Sequence, residues 1–186
     1  MSIAMVFPGQ GSQSLGMQAD LAAEYAFAGE TYAKASEILG YDLWELVQNG
    51  PEEKLGETVV TQPALLTAGY VSWLAWRDAG GAEPGQMAGH SLGEYTALVC
   101  AGAIDFSDAM RVVKKRSELM QAAVPVGVGA MAAIIGLDDG AVQGVCEEAS
   151  TAGVVEAVNF NSPGQVVIAG HQDAVAHAVQ LSLIHI

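Results

Sequence analysis

Residues 86–95 read Gln86-Met87-Ala88-Gly89-His90-Ser91-Leu92-Gly93-Glu94-Tyr95, and residues 89–93 carry the pattern G-x-S-x-G. A short strand at 86–89 runs into a sharp turn at 90–92 and then a helix from about 93 to 100. In that arrangement a serine stands on a strained strand-to-helix turn with its Oγ projecting from a sheet edge. Small residues two before and two after permit the close approach. The Leu92 amide opens the helix and suits an oxyanion. In a chain with 22 glycines the five residues alone are a weak signal. The strand before them and the helix after them give the pattern its weight and point to an α/β fold with a parallel sheet.

Toward the N-terminus, residues 3–7 form an apolar run ending at Pro8, which predicts a buried parallel strand. Residues 9–13 then make a polar, glycine-rich turn at the carboxyl edge, where open α/β sheets bind ligands. Gln10 in that turn either completes an oxyanion hole, by backbone or side chain, or belongs to a plain βα connection. Helical patterns follow at 17–25 and 29–39, and Gly40 ends the second. Asp42 is placed to cap a short helix at 43–48, before the break at Asn49-Gly50-Pro51. Residues 62–78 predict a buried helix with Pro63 in its first turn and Gly80-Gly81 at its end.

Toward the C-terminus, a helix is expected over 107–123. Four of the seven basic residues fall there: Arg111, Lys114, Lys115 and Arg116. On a helical wheel Ala109, Val112, Val113, Leu119, Met120 and Ala123 make one stripe, and Arg116 falls in its middle. Arg111, Lys114, Lys115 and Glu118 fall on the other side. An inward charge needs a partner. That partner is either a structural carboxylate or a bound anion, whose carboxylate the planar guanidinium fits through two hydrogen bonds. Beyond a seam at 124–127 the pattern changes to a strand at 129–135, a helix at 138–150, strands at 154–159 and 165–169, and a helix at 172–179. That order is most of a β-α-β-β-α-β split unit.

Composition narrows the function. The net charge of -14 over 186 residues excludes a general nucleic-acid binder and a protein held on an anionic membrane surface. With 51% hydrophobic residues the chain can fill a core, and no apolar stretch is long enough for a membrane helix. Residues 1–10 lack a signal-like pattern, so a cytoplasmic protein is expected. Cys100 and Cys146 are far apart in apolar or helical patterns and read as buried free thiols rather than a disulfide or metal site. The features together suggest acyl chemistry by Ser91 on a substrate bearing a negative group. A serine needs a base. His90 is adjacent to Ser91 and points away at such an elbow, and His171, His177 and His185 have no evident claim to the role.

The chain resembles the malonyl-CoA:acyl-carrier-protein transacylases, fatty-acid-synthesis enzymes related to the acyltransferase domains of polyketide synthases. The resemblance runs from Ile3 to about Gln180. It rests on Phe-Pro-Gly-Gln-Gly-Ser-Gln at 7–13, Thr-Gln-Pro-Ala-Leu at 61–65 and Gly-His-Ser-Leu-Gly-Glu-Tyr at 89–95. Further matches are Arg-Ser-Glu-Leu-Met at 116–120, Gly-Ala-Met at 129–131 and Asn-Ser-Pro-Gly-Gln-Val-Val-Ile-Ala-Gly at 161–170. It implies an α/β-hydrolase-like large subdomain with a parallel sheet and an inserted ferredoxin-like small subdomain, both incomplete. The corresponding division is 1–124, 125–180 and a tail, 181–186, unlike the family.

The resemblance also implies roles. Ser91 becomes the acylated serine, Gln10 and the Leu92 amide the oxyanion hole, and Arg116 the ligand of the malonyl carboxylate. Gln62 and Asn161 match positions near the cleft. The implied partners are malonyl-CoA and acyl carrier protein, with no cofactor, metal, nucleic acid or membrane. Arg111, Lys114 and Lys115 are the clustered candidates for meeting an acidic carrier protein. The family's catalytic histidine is expected beyond Ile186, making the chain a C-terminally truncated form without its base. The competing readings are a serine hydrolase such as a thioesterase, which would not need Arg116, and a non-catalytic fragment.

Overall fold

The computed structural model describes residues 3–125 and 127–185, the last by its backbone alone. Val126 of the expected seam, Ile186 of the expected tail, the His185 side chain and the first two residues lie outside the described residues. The chain divides into two compact units, Met1–Ala122 and Ala123–Ile186.

The first unit contains β1 (Ala4–Phe7), α1 (Ala19–Glu24), α2 (Ala26–Leu39), α3 (Leu43–Asn49), α4 (Glu52–Leu55), α5 (Thr58–Asp78), β2 (Gln86–Gly89), α6 (Leu92–Cys100) and α7 (Phe106–Ala122). β1 and β2 pair in parallel, from Ala4 opposite Gln86 to Phe7 opposite Gly89. Phe7 joins Trp73, Ala97 and Cys100 in a cluster that covers one side of the pair. The other side is uncovered among the described residues, and Val6 is 71% exposed. β1 is thus parallel as expected, and its expected burial is met on one face only among the described residues. An apolar run reads as two-sided burial wherever it occurs, but here helices cover a single face.

The larger core joins α2, α3, α5 and α7 through Tyr32, Leu43, Leu66, Met110 and Val113. The local signals hold at both helix ends. Gly40 closes α2 at φ 85°, and Asp42 caps α3 by accepting from the Glu45 amide at 2.9 Å.

The start of α5 departs from expectation. The helix begins at Thr58, one turn early, so Pro63 lies inside it rather than in its first turn. Proline has no N–H, and the Val59 carbonyl loses its usual donor four residues on. The Tyr41 hydroxyl donates to that carbonyl at 3.3 Å. Burial pushes the Tyr41 phenol up to about 12. Thr61 Oγ1 donates to Leu55 O and ties the extra turn to α4. Tyr41→Phe is expected to cost about 1 kcal/mol, the usual consequence of stranding one carbonyl. Urea unfolding measures it, and an unchanged midpoint would mean that α5 closes over Pro63 unaided.

The second unit contains β3 (Gly129–Ile135), α8 (Asp139–Ala149), a 3₁₀ turn (Ser150–Ala152), β4 (Val155–Ser162), β5 (Gln165–His171) and α9 (Gln172–His185). The sheet order is β3-β5-β4, antiparallel throughout. The strands joined by α8 thus flank β5, as a split β-α-β requires. Asp138 caps α8 by accepting from the Ala141 amide at 2.8 Å. Both helices cover one face, where Val142, Val145, Ala174 and Ala178 meet Ile134, Val166 and Ile168. Met131, Ile135 and Phe160 are exposed. The helix expected at 172–179 continues through Leu181–His185, so most of the expected tail is helical. Among the described helices none is long and apolar enough to cross a membrane.

Candidate active site

Ser91 stands between β2 and α6 with φ 53° and ψ -105°. Few L-residues adopt a positive φ, and such strain persists only where the surroundings enforce it. Here the enforcement is contact. A Cβ on Gly89 would lie 1.9 Å from the Gly93 carbonyl carbon, and one on Gly93 would lie 2.2 Å from Phe7 O. The two glycines of the pattern let the turn press against β1. The His90 amide donates to Phe7 O at 3.1 Å and carries the β1–β2 ladder one residue past the strands.

The turn after β1 sits against this elbow, since a Cβ on Gly9 would come within 2.8 Å of His90 O. Gln10 follows, but its side-chain amide donates to Thr58 Oγ1 at 3.2 Å, at the start of α5. Leu92 anchors α6 with a side chain only 1% exposed. Its amide occupies the first helical position, where no intrahelical acceptor exists. Backbone polarity is therefore available beside the Ser91 oxygen.

Arg116 reaches Ser91 from α7. The buried face of this helix is Phe106, Ala109, Met110, Val113 and Ser117, while Val112, Leu119 and Met120 are exposed. The expected stripe is corrected by part of a turn, and Arg116 flanks the buried face, half-buried, instead of occupying its middle. The wheel weighted apolar side chains and gave no weight to Ser117, whose hydroxyl is satisfied by the Lys114 carbonyl at 2.8 Å.

The guanidinium donates from Nη2 to Ser91 Oγ at 3.0 Å and from Nη1 to Gln62 Oε1. Its carbon lies 5.6 Å from the centre of the Tyr95 ring. The ion pairs among the described residues are Arg111–Asp108 and Lys115–Glu118, so Arg116 has neutral partners. A half-buried cation without a carboxylate retains the capacity to bind an anion.

Gln62 is fully buried on α5, and its Nε2 donates to Met120 Sδ at 3.3 Å. Lys114, expected on a free basic face, donates from Nζ to Ile38 O and Leu39 O, both at 3.1 Å. A cation there complements the C-terminus of α2. Of the expected docking cluster, Lys114 is therefore committed to the fold and Arg111 is paired with Asp108.

Ser91, Leu92, Arg116 and Gln62 come together, with Gln10 in the neighbouring turn. Asn161 belongs to the other unit, exposed on β4 where its register shifts between Phe160 and Ser162. His171 Nδ1 accepts from the Val154 amide at 3.1 Å, a structural role in that unit. Two participants escaped the sequence reading. Tyr95 lies on the first turn of α6, just beyond Ser91, and its ring faces the Arg116 guanidinium. Met120 had a fainter signal: a glutamine within an apolar helix needs partners for its amide. Chemically, the site brings together an exposed hydroxyl, a helix-opening amide and a guanidinium without a carboxylate partner among the described residues.

Residues 4–182 match the model of the acyl transferase domain family. The malonyl CoA-acyl carrier protein transacylase of Escherichia coli strain K12 is 62% identical over 175 residues, covering 94% of this chain and 57% of that protein. The enzyme of the same name from Haemophilus influenzae is 59% identical over 179 residues, with 96% and 57% covered. Among solved structures, the malonyl CoA-acyl carrier protein transacylase of Coxiella burnetii matches with a TM-score of 0.94 at 52% identity, covering 100% of this chain and 58% of that one. A malonyl-transacylase solved with its type II PKS acyl-carrier protein matches with a TM-score of 0.93 at 56% identity, covering 100% and 60%. This chain thus spans 57% of the length of these curated relatives.

Proposed function

Because this chain belongs to the acyl transferase domain family, we propose that its site takes a malonyl group from malonyl-CoA onto Ser91 and passes it to the phosphopantetheine thiol of an acyl carrier protein. Support comes from the Arg116 guanidinium, 3.0 Å from Ser91 Oγ and without a carboxylate partner. A hydrolase acting on neutral esters would not require it.

Ser91 Oγ attacks the thioester carbonyl, a general base carries its proton to the departing coenzyme A sulfur, and the carbon–sulfur bond breaks. The carrier thiol then attacks the resulting ester, its proton passes to Ser91 Oγ, and the ester bond to Ser91 breaks. The Leu92 amide stabilises the oxyanion formed in each half, together with the backbone of Gln10, whose side chain is engaged with Thr58. Arg116 holds the malonyl carboxylate through its planar fork. Gln62 orients Arg116. The exchange of one thioester for another is nearly balanced and draws on no redox cofactor. We place it in the cytoplasm, within fatty-acid synthesis.

The test is intact-mass spectrometry of the chain after incubation with malonyl-CoA and then with a carrier protein bearing phosphopantetheine. Gain of one malonyl group, followed by its appearance on the carrier, is expected. An adduct released only to water would support the thioesterase reading, and no adduct would support a non-catalytic one.

A further inference from the structure

We infer that Met120 is a positioning residue for the anion site, fixing the buried Gln62 amide and through it the Arg116 guanidinium. The two ends of a glutamine amide have nearly the same shape and opposite hydrogen-bonding character. Arg116 is only a donor, and a thioether sulfur is only an acceptor. With Arg116 Nη1 at Oε1 and Met120 Sδ 3.3 Å from Nε2, both ends of Gln62 are satisfied in one orientation. Reversing the amide would set donor against donor at Arg116 and acceptor against acceptor at Met120.

Gln62 is fully buried, so an unpaired end has no recourse to bulk solvent. Arg116 holds one end of the amide and Met120 the other. Met120 is itself 48% exposed on α7, so its packing contributes little to the core. Leucine matches its volume and offers no acceptor. Glutamine matches its length and offers a stronger one. The consequence for substrate rests on the proposed role of Arg116 as the carboxylate ligand.

The experiment compares the chain with Met120→Leu and Met120→Gln. Side-chain NMR follows the Gln62 amide and the Arg116 guanidinium, and titration with malonate probes the anion site. In Met120→Leu the Gln62 amide protons are expected to shift and exchange faster, the Arg116 signals to broaden, and malonate to bind about three- to ten-fold more weakly, the range of one lost hydrogen bond. Met120→Gln is expected to restore all three. Gln62 and Arg116 signals indifferent to Met120→Leu would overturn the inference, as would an equal loss in both variants. A parent chain that binds malonate no better than Arg116→Ala would sink the proposed function instead. The amide and guanidinium signals would still decide the inference.

Discussion

Ser91→Ala is expected to abolish the malonyl adduct and with it transfer to the carrier, because the oxygen that would carry the acyl group is gone. The substitution isolates chemistry from folding. Alanine keeps the Cβ that serine already places at φ 53°, so the strain of the elbow is unchanged. The contacts of Gly89 and Gly93 with their backbone neighbours are untouched. Only Oγ is lost, and with it one of two hydrogen bonds to Arg116. Intact mass after incubation with malonyl-CoA reads the result, with thermal melting as the control. An adduct of undiminished yield in a well-folded Ser91→Ala would assign the acylation to another residue.

Arg116→Ala should act on selectivity. A bidentate guanidinium–carboxylate contact comprises two charge-assisted hydrogen bonds, each about 1.5–2 kcal/mol in mutational series. Their loss predicts a fall of two to three orders of magnitude in the rate of malonyl adduct formation. Acetyl-CoA has no carboxylate and should be affected far less. Arg116→Lys should recover little, because a point ammonium lacks the fork and cannot serve Gln62 Oε1 and a carboxylate in the same plane. The measurement is competition between malonyl- and acetyl-CoA for Ser91. Retention of the malonyl preference in Arg116→Ala would remove Arg116 from substrate recognition.

The elbow was legible because its signals are local. Gly89 and Gly93 mark a close backbone approach, and the strand before them and the helix after them follow within a few residues. The order of elements in the second unit was legible for the same reason, with Asp138 and the glycine-containing turn at 163–164 punctuating it. What escaped depends on neighbours distant in sequence. The wheel of α7 could not know that Ser117 is accommodated by the Lys114 carbonyl, so it turned the buried face too far. Pro63 signalled a helix start, but Tyr41 replaces the missing donor and the helix begins earlier. Lys114 looked like a solvated charge because the α2 carbonyls it meets are more than seventy residues away. The link from Arg116 through Gln62 to Met120 joins two helices, and periodicity within either one cannot predict it.

The buried cysteines bear on how this chain would live among thioesters. Coenzyme A and phosphopantetheine esters acylate any accessible thiolate, so a protein handling them is exposed to self-modification. Cys100 and Cys146 are both buried and unpaired, and burial pushes the first thiol up to about 12 and raises the second. Near neutral pH burial therefore holds both thiols in the protonated form, the poorer nucleophile. Neither thiol therefore competes with the Ser91 oxygen for an acyl donor. An acyl group acquired at Ser91 should be an ester, indifferent to prior treatment with a thiol-blocking reagent.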